Sequence, residues 1–223
     1  MQKVNDIRGL FQEKLASKDF VIDKSGVKTI DLIGMSFFAD ESAIFGTVNE
    51  DWNRRELAWY ESMSLNVNDI EEPIPAIWKH VATKDGQINS NYGWCIFSKE
   101  NHEQYLSVVN ELTLNPDSRR GQMIYTRPTM HTDCSRNGMS DFICTAYTQH
   151  YIRNGKLITH YVMRSSDAIM GYKGDRAWAG YVHASLASDL SIEQGDIIWT
   201  ASSLHIYSRH FYLLDNINYS APK

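Results

Sequence analysis

A long β-hairpin is the feature of this sequence that most constrains its fold. Asn154 and Gly155 separate two largely apolar runs, residues 142–153 and 156–165. Asn-Gly is the preferred pair for a type I′ turn because both residues tolerate positive φ. The sequence therefore predicts two long antiparallel strands joined by a two-residue turn.

The register of this hairpin decides which side chains share a face of the sheet. If the pairing stays regular from the turn, Cys144 faces Ser165, and Arg164 points to the opposite side of the sheet. A β-bulge is required to bring Arg164 round beside the Cys144 thiol.

The rest of the chain mixes helices and strands. Helical spacing of apolar residues predicts helices within 1–20, over 54–62, from His102 to just before Pro116, and over 176–190. The helix from His102 places Leu106, Val109 and Leu112 on one side. Strands are predicted over 27–38 and 196–207, and no glycine-rich phosphate loop is present. We expect an α/β (α+β) protein with a mixed β-sheet and flanking helices.

Composition limits the class of protein. With 223 residues, 43% of them hydrophobic, the chain is long enough for one substantial core, so we expect a single domain over residues 1–223. The net charge of -5 and a pI near 5.9 argue against a general affinity for nucleic-acid polymer. An anionic ligand must therefore meet a local cationic pocket.

Cysteine usage and hydropathy bear on the compartment. Cys95, Cys134 and Cys144 are an odd number at irregular spacing, which indicates neither a disulfide framework nor a four-ligand zinc site. The N-terminus lacks the unbroken apolar stretch of a secretory signal, and no window approaches the roughly 20 apolar residues that span a bilayer. We expect a soluble protein of a reducing cytoplasm, without a membrane partner.

Four segments together resemble the thymidylate synthase superfamily. In chain order they are Glu56-Leu57-Ala58-Trp59-Tyr60, Asn115-Pro116-Asp117-Ser118-Arg119-Arg120, Arg164-Ser165-Ser166-Asp167 and His205-Ile206-Tyr207. Three more segments resemble the phage-type deoxycytidylate hydroxymethylases of that superfamily: Asn89-Ser90-Asn91-Tyr92-Gly93-Trp94, Met139-Ser140-Asp141-Phe142 and Ser208-Arg209-His210-Phe211-Tyr212.

The resemblance implies an architecture and a co-substrate. The fold would be thymidylate synthase-like, in a homodimer packed through its sheets. The co-substrate would be 5,10-methylenetetrahydrofolate, without a metal. For a phage-encoded chain the compartment would be the host cytoplasm.

By this resemblance Cys144 is the nucleophile. Cytosine C5 is a poor nucleophile until a group adds at C6, and a thiolate is a reversible nucleophile suited to that addition. A neighbouring guanidinium such as that of Arg164 would depress the thiol pKa. Taken by itself, a lone cysteine in a strand is most often a buried packing residue.

The same resemblance implies a nucleotide site. A phosphate dianion is bound well by planar guanidinium groups, and the strand period of two puts the sugar ligands on one face. The implied ligands are Lys24, Arg164 and Ser165 for the phosphate in one subunit, Arg119 and Arg120 from the partner subunit, and His205 and Tyr207 for the sugar 3′-hydroxyl. Without the resemblance, the arginine pair is typical of a solvated basic turn, and the strand residues are ordinary half-buried positions.

The resemblance also implies a folate cleft and a pair of residues that handle protons. Asp167 would bind the pterin ring, with Trp78 and Gly171 nearby. Glu56 and Tyr92 would organise water and protons near the reacting carbon. By itself, Glu56 is typical of a solvated charge on a helix.

Asp175 bears on the choice of base. It precedes an apolar helical pattern, so its default role is a helix N-cap. Thymidylate synthases carry asparagine here, whose amide donates to uracil O4 and accepts from N3–H. A carboxylate would accept from the cytosine amino group and from a protonated N3, whereas its oxygens would oppose O4 of uracil. Asp175 therefore indicates a cytidylate substrate.

The end of the chain favours addition of water over addition of hydride. Thymidylate synthases close a C-terminal tail over the folate, and this chain ends at Lys223, soon after the His205 segment. Separately, four residues depart from the thymidylate synthase pattern and weaken a strict thymidylate synthase assignment: Phe142, Ile143, Thr145 and Met163. We expect hydroxymethylation of dCMP at C5, which supplies modified nucleotide for DNA synthesis.

Other functions stay open at this point. Within the enzyme class they are methylation or hydroxymethylation of dUMP, and hydroxymethylation of ribo-CMP. A different class is a catalytically silent homologue that binds nucleotide or acts as a scaffold in a nucleotide-synthesis complex. A zinc site at His131 and Cys134, or at His205 and His210, has an incomplete ligand set.

Overall fold

The structure of the protein, a computed structural model, describes residues 1–214 and is built on an eight-stranded sheet. The end of the chain at Lys223, on which the expectation about a closing tail depends, lies outside the described residues. The strands are β1 (Gln2–Lys3), β2 (Val21–Ile22), β3 (Lys28–Phe38), β4 (Gln122–Ile124), β5 (Thr145–Arg153), β6 (Lys156–Met163), β7 (Ser166–Asp167) and β8 (Glu193–Tyr207). The helices are α1 (Val4–Ser17), α2 (Glu50–Ser62), α3 (Ala76–Val81), α4 (Tyr92–Phe97), α5 (Gln104–Leu114), α6 (Met130–Asp133) and α7 (Gly171–Asp189).

The strand order makes the sheet mixed, as the sequence predicts. The path is β1-β3-β8-β6-β5-β4, with β2 beside β3 and β7 beside β8. The pairs β3–β8, β5–β6 and β4–β5 are antiparallel, whereas β6 and β8 are parallel. The expected α/β class, a mixed sheet with flanking helices, is confirmed.

The hairpin is confirmed, but its register is not regular. Asn154 and Gly155 have φ values of 53° and 74°, as a type I′ turn requires. The register shifts at Ala146, so the N–H of Arg164 donates to the carbonyl oxygen of Cys144 at 2.9 Å. This bulge overturns the pairing of a regular register and puts Arg164 on the same side as the thiol.

The helix that carries Asp175 starts earlier than the sequence predicts. α7 begins at Gly171, so Asp175 lies inside the helix, and the N-cap role is wrong. Asp167 instead accepts the backbone N–H groups of Ile169 and Met170 at 2.8 and 3.0 Å. Asp167, and not Asp175, therefore accepts the backbone N–H groups just ahead of the helix.

The predicted inner face of α5 is partly wrong. Leu106 is 54% exposed, whereas Tyr105, Val108 and Leu112 are buried. The helical period is correct, but the buried stripe lies one position away from Leu106.

The two faces of the sheet differ in what covers them. The core face carries large buried aromatic rings: Tyr161 and Trp199 stack at 4.9 Å between centroids, and Tyr172 of α7 meets Trp199 edge-on at 5.1 Å. The opposite face, called the outer face below, carries the side chains that alternate with these: Ile33, Ser36, Phe38, Tyr147, Gln149, Tyr151, Ile158, His160, Val162, Ile198 and Thr200.

Close packing of α2 on α4 fixes the position of two catalytic candidates. A Cβ at Gly93 would lie 1.8 Å from the backbone oxygen of Tyr60, so only glycine permits this approach. The rings of Tyr60 and Tyr92 then stack at 5.2 Å between centroids. The packing holds α2, which carries Glu56, against the start of α4, which carries Tyr92.

Candidate active site

The thiol of Cys144 lies beside the guanidinium group of Arg164. Nη2 of Arg164 is 3.6 Å from Sγ and donates to the carbonyl oxygen of Phe142 at 2.6 Å. Nε donates to the carbonyl oxygen of Ile143 at 2.8 Å. These contacts hold a positive charge beside the sulfur, and Ser165 follows as a half-buried residue.

Burial dominates the acidity of this thiol. Burial raises the pKa of Cys144 to about 11, Arg164 lowers the pKa, and Asp175 and Asp141 raise it further. The cationic neighbour is present as predicted. The expected net depression of the thiol pKa is wrong, because desolvation outweighs the guanidinium charge.

Glu56 is a buried acid and not a solvated charge on a helix. It is 8% exposed, and its carboxyl group hydrogen-bonds Trp78 and Tyr60. Burial, followed by the negative charge of Asp175, raises the Glu56 pKa to about 8, and the two hydrogen bonds partly offset this. A Cβ at Gly174 of α7 would lie 2.7 Å from Glu56 Oε2. Glu56 is therefore packed against α7 and protonated at neutral pH.

Asp175 reaches the same region from α7. Burial, and to a smaller extent the charge of Asp167, raises the Asp175 pKa to about 7, while a hydrogen bond from Tyr92 acts in the lowering direction. The Tyr92 phenol also hydrogen-bonds Thr145, the residue after Cys144. Asp175 is half-buried, so it keeps access to the solvent side of the site.

Glu56 and Asp175 form one electrostatic unit. Their pKa values of about 8 and about 7 mean that the pair holds at least one proton near neutral pH, because two ionised carboxylates would repel each other. Asp175 also acts on Cys144 through its charge. This arrangement is able to give and accept protons beside the Cys144 thiol at neutral pH.

His205 and Tyr207 share the outer face at the end of β8, as the strand period predicts. Their rings meet edge-on at 5.1 Å between centroids. His205 pairs with Asp31 of β3, and Ser203 Oγ donates to Asp31 Oδ1 at 2.8 Å. Burial, followed by the charge of Asp167, raises the pKa of Tyr207, so the phenol lies on the side of the folate candidates.

Lys24 lies in an exposed turn at the same end of the sheet. Asp23 Oδ1 accepts the N–H groups of Ser25 and Val27, each at 2.9 Å. Hydrogen bonds from Ser25 and Val27 lower the pKa of Asp23, and His205 adds a smaller effect in the same direction. The Lys24 turn therefore lies near the sugar candidates.

The three folate candidates lie around the paired acids. A Cβ at Gly171 would be 3.5 Å from Asp167 Cβ and 3.6 Å from Asp175 Oδ2. Trp78 hydrogen-bonds Glu56. Asp167, Gly171 and Trp78 are thus brought together by contacts between α3, α2 and the start of α7.

Arg119 and Arg120 stand apart from this group. Both are exposed in the loop before β4, and β4 pairs with the part of β5 around Gln149, several residues beyond Cys144. Among the hydrogen bonds and ion pairs of residues 1–214, none joins either arginine to the residues around Cys144. The structure does not bring this pair into the site of its own subunit.

Sequence reasoning misses two residues of this site. Tyr60 follows Glu56 by one helical turn, and that spacing is a signal for the hydrogen bond between them. Asp141 accepts the N–H groups of Asn89 and Ser90 at 2.7 and 2.8 Å. These bonds fix the loop that leads into α4, and no local sequence pattern predicts them.

Within residues 1–214, no group of three or more His, Cys, Asp or Glu side chains is arranged to hold a metal ion. No helix of that range has the length and apolar character needed to cross a bilayer.

Comparison with known proteins identifies the family. The model of the thymidylate synthase family matches residues 17–219, so the chain belongs to the thymidylate synthase family. It is 51% identical over 220 residues to the deoxycytidylate 5-hydroxymethyltransferases of Enterobacteria phages T4 and T2, which covers 96% of this chain and 89% of each relative. It is 28% identical over 165 residues to a thymidylate synthase of Francisella tularensis subsp. holarctica (strain OSU18), which covers 70% of this chain and 60% of that protein.

Proposed function

We propose that this protein is a deoxycytidylate 5-hydroxymethyltransferase with one catalytic domain over residues 1–223. It transfers a one-carbon unit from 5,10-methylenetetrahydrofolate to C5 of dCMP and adds water, which gives 5-hydroxymethyl-dCMP and tetrahydrofolate. The identity of 51% over 96% of the chain to phage enzymes of that name supports the proposal. The observation that carries it is the carboxyl group of Asp175. Its pKa is about 7, and it lies close enough to Cys144 for its charge to raise the pKa of the thiol.

Cys144 begins the reaction by adding its sulfur to C6 of the cytosine ring. The addition makes C5 part of an enamine, which is able to attack an electrophilic carbon. Arg164, 3.6 Å from Sγ, stabilises the thiolate that performs the attack. The same guanidinium, with Ser165 and Lys24, is a ligand for the phosphate.

Asp175 selects cytosine and handles the proton at N3. Its oxygens accept from the exocyclic amino group, and the ring takes up a proton at N3 after the sulfur adds. A carboxyl group with a pKa of about 7 is able to hold and give that proton at neutral pH. Against uracil, the same oxygens would oppose O4 and leave polar groups unmatched.

Glu56 handles protons at the reacting carbon. With a pKa of about 8 it is protonated at neutral pH, and it is able to donate a proton and then, once ionised, to accept one from the attacking water. Trp78 and Tyr60 hold its carboxyl group in place. Tyr92 links this chemistry to Asp175 through its own hydrogen bond.

The folate supplies the one-carbon unit as an electrophile, and the residues near the acids fit it. Both backbone hydrogen bonds to Asp167 use Oδ1, so among the described hydrogen bonds Oδ2 remains for a ring N–H donor. Gly171 leaves room between Asp167 and Asp175. Trp78 offers an indole ring beside Glu56.

The nucleotide site is completed by a second copy of the chain. His205 and Tyr207, which bind the sugar hydroxyl, lie at the end of the outer face, and Arg119 and Arg120 are exposed and remote from their own site. The outer face includes Ile33, which is 74% exposed. A homodimer packed through the outer faces covers this apolar surface and carries the arginine pair to the partner's phosphate. Association with other enzymes of nucleotide synthesis is compatible with this arrangement and is a separate proposal.

A substrate comparison tests the proposed function. The enzyme is incubated with methylenetetrahydrofolate and with dCMP, dUMP or CMP, and the products are weighed by mass spectrometry. A gain of CH₂O on dCMP alone supports it. A gain of CH₂ on dUMP, with dihydrofolate formed, would overturn it in favour of a thymidylate synthase. A gain of CH₂O on CMP or dUMP would contradict the proposed specificity for dCMP.

Cys144→Ser separates an enzyme from a silent nucleotide-binding homologue or scaffold. The variant should lose product formation and keep dCMP binding, as measured by calorimetry. If wild type and variant both bind dCMP and neither forms product, the chain is a binding protein. The Cys134→Ser variant is the matched control and should keep full activity. Cys134 caps the C-terminus of α6 and is not one of the residues of the proposed site.

A further inference from the structure

A row of four polar side chains crosses the outer face of the sheet. Ser36 of β3 hydrogen-bonds Thr200 of β8, with 2.8 Å between the hydroxyl oxygens. Thr200 Oγ1 is also 2.8 Å from Nε2 of His160 on β6. His160 in turn is the cross-strand backbone partner of Gln149 on β5, whose side-chain amide donates to the carbonyl oxygen of Gly121 at 3.1 Å. These four residues, the polar row, span the four longest strands of the sheet.

The polar row is embedded in apolar surface. Its flanking side chains on the outer face are half-buried or exposed: Phe38, Ile198, Ile158 and Tyr151 on one side, and Ile33, Val162 and Tyr147 on the other. A polar line inside an apolar patch is costly to cover with an apolar partner, because buried hydroxyl and imidazole groups need hydrogen-bond partners. The occupant of this face must therefore bring polar groups to the same line.

A second copy of this chain meets that requirement. Serine and threonine hydroxyls both donate and accept, so a row that contains Ser36 and Thr200 is able to hydrogen-bond with a symmetry-related row. Of the two ring nitrogens of His160, only Nε2 has a hydrogen-bond partner among the described contacts, which leaves Nδ1 for a partner subunit. Continuity with His205 and Tyr207 at the end of the same face ties the occupant to the nucleotide site.

We propose that the polar row lies at the centre of the interface between two copies of this chain, where it fixes the register of the two sheets and makes dimer formation dependent on pH through His160. This inference rests on the homodimer of the proposed function and deepens it. The register matters for activity, because a slip of the sheets would move Arg119 and Arg120 away from the partner's phosphate.

The sign of the pH effect follows from burial. Desolvation lowers the pKa of His160 already in the single chain, and a covering partner lowers it further, since a buried imidazole without a counter-charge disfavours protonation. Its neighbours in the row are Gln149 on β5, Thr200 on β8 and Ser36 on β3, which carry no charge at mildly acid or neutral pH. The dimer is therefore favoured at neutral pH and lost as the pH falls.

Sedimentation equilibrium of the full chain tests the proposal. Between about pH 8 and pH 5.5, the dimer dissociation constant of the wild type should rise by about 10-fold or more, since each subunit must give up a proton from His160 to associate. His160→Gln keeps a donor toward Thr200 and cannot ionise, so its dissociation constant should change less than about 3-fold over the same range. His102→Asn, at an exposed histidine outside the row, should behave as the wild type.

Two results would overturn the inference: a wild-type dissociation constant that is flat over this range, or a His160→Gln variant with the wild-type pH dependence.

Thr200→Val provides a second measurement, and should weaken the dimer about 10-fold at pH 8 by leaving its row partners unpaired. Product formation from dCMP at pH 8 is measured in parallel. A wild type that is active and dimeric but insensitive to pH contradicts this inference alone, whereas a wild type that forms no product contradicts the proposed function.

Discussion

The N–H of Arg164 donates to the carbonyl oxygen of Cys144 at 2.9 Å, and the guanidinium group of the same arginine lies 3.6 Å from the Cys144 sulfur. Both contacts depend on the register shift at Ala146. One extra residue in β5 thus places a cation beside the Cys144 thiol, whose pKa is raised by burial and lowered by Arg164.

Removal of that cation should make the thiol less reactive. In an Arg164→Gln variant the thiol pKa should rise, and alkylation of Cys144 by iodoacetamide at pH 8 should slow by about 10-fold. Alkylation is followed by mass spectrometry in a Cys134→Ser background, because Cys134 is partly exposed. Arg153→Gln, a charge removal on the same hairpin, is the control. An alkylation profile that is unchanged by Arg164→Gln would contradict the assignment.

If Asp175 reads the base as proposed, exchange of its carboxyl group for an amide should reverse the choice of base. Asp175→Asn offers a donor to O4, so the ratio of kcat/KM for dCMP to that for dUMP should fall by about 10³-fold or more. The ratio is measured with both nucleotides in one competition assay. Asp189→Asn, at the far end of α7, should leave the ratio unchanged. Equal losses on both nucleotides in Asp175→Asn would mean that this residue does not read the base.

Ionisation of Glu56 should destabilise the fold as the pH rises. Its pKa is raised from 4.5 to about 8 in the folded protein, so its contribution is favourable at low pH and is lost between about pH 4.5 and pH 8. Glu56→Gln removes this loss. From pH 6 to pH 9, its free energy of unfolding, measured in urea, should gain about 3 kcal/mol relative to the wild type. Glu13→Gln, at an exposed position of α1, should show no such gain.

The Tyr60 hydroxyl should tune Glu56 without contacting substrate. Its hydrogen bond acts to lower the Glu56 pKa, so in Tyr60→Phe the limb of the kcat profile that reports Glu56 should move to higher pH by about half a unit to one unit. The KM for dCMP should stay constant, because the ring stack with Tyr92 is kept. Tyr172→Phe, which removes a hydroxyl bonded to the carbonyl oxygen of Glu41, is the control. A profile that falls in height without a shift would indicate a structural role only.

Complementation between two inactive variants should reveal a site shared between subunits. Cys144→Ser and the double variant Arg119→Ala/Arg120→Ala should each be inactive or nearly so. Mixed in equal amounts and allowed to exchange subunits, they should recover about one quarter of wild-type activity, because half of the dimers contain one intact site. If no activity returns although subunit exchange is verified, the arginine pair does not act across the dimer.

The sequence by itself determined several parts of this protein. Asn154-Gly155 specifies a hairpin because the turn needs two residues that accept positive φ. The strand period of two places His205 and Tyr207 on one face. Chemical types at fixed positions, above all Cys144, identified the family and the candidate chemistry. These features depend only on near neighbours along the chain, so they can be read without coordinates.

Only the tertiary structure decided the rest. The bulge at Ala146 leaves no local signal, and it reverses the side on which Arg164 lies. α7 begins at Gly171, five residues before the apolar pattern suggests, and Asp167 accepts two backbone N–H groups just ahead of it. Glu56 is buried by Trp78 and by Gly174 of α7, which lie far from it in sequence. Strand register, burial and the local electric field all depend on residues that are distant along the chain. For that reason the pKa values of Cys144, Glu56 and Asp175 follow from packing and not from sequence pattern.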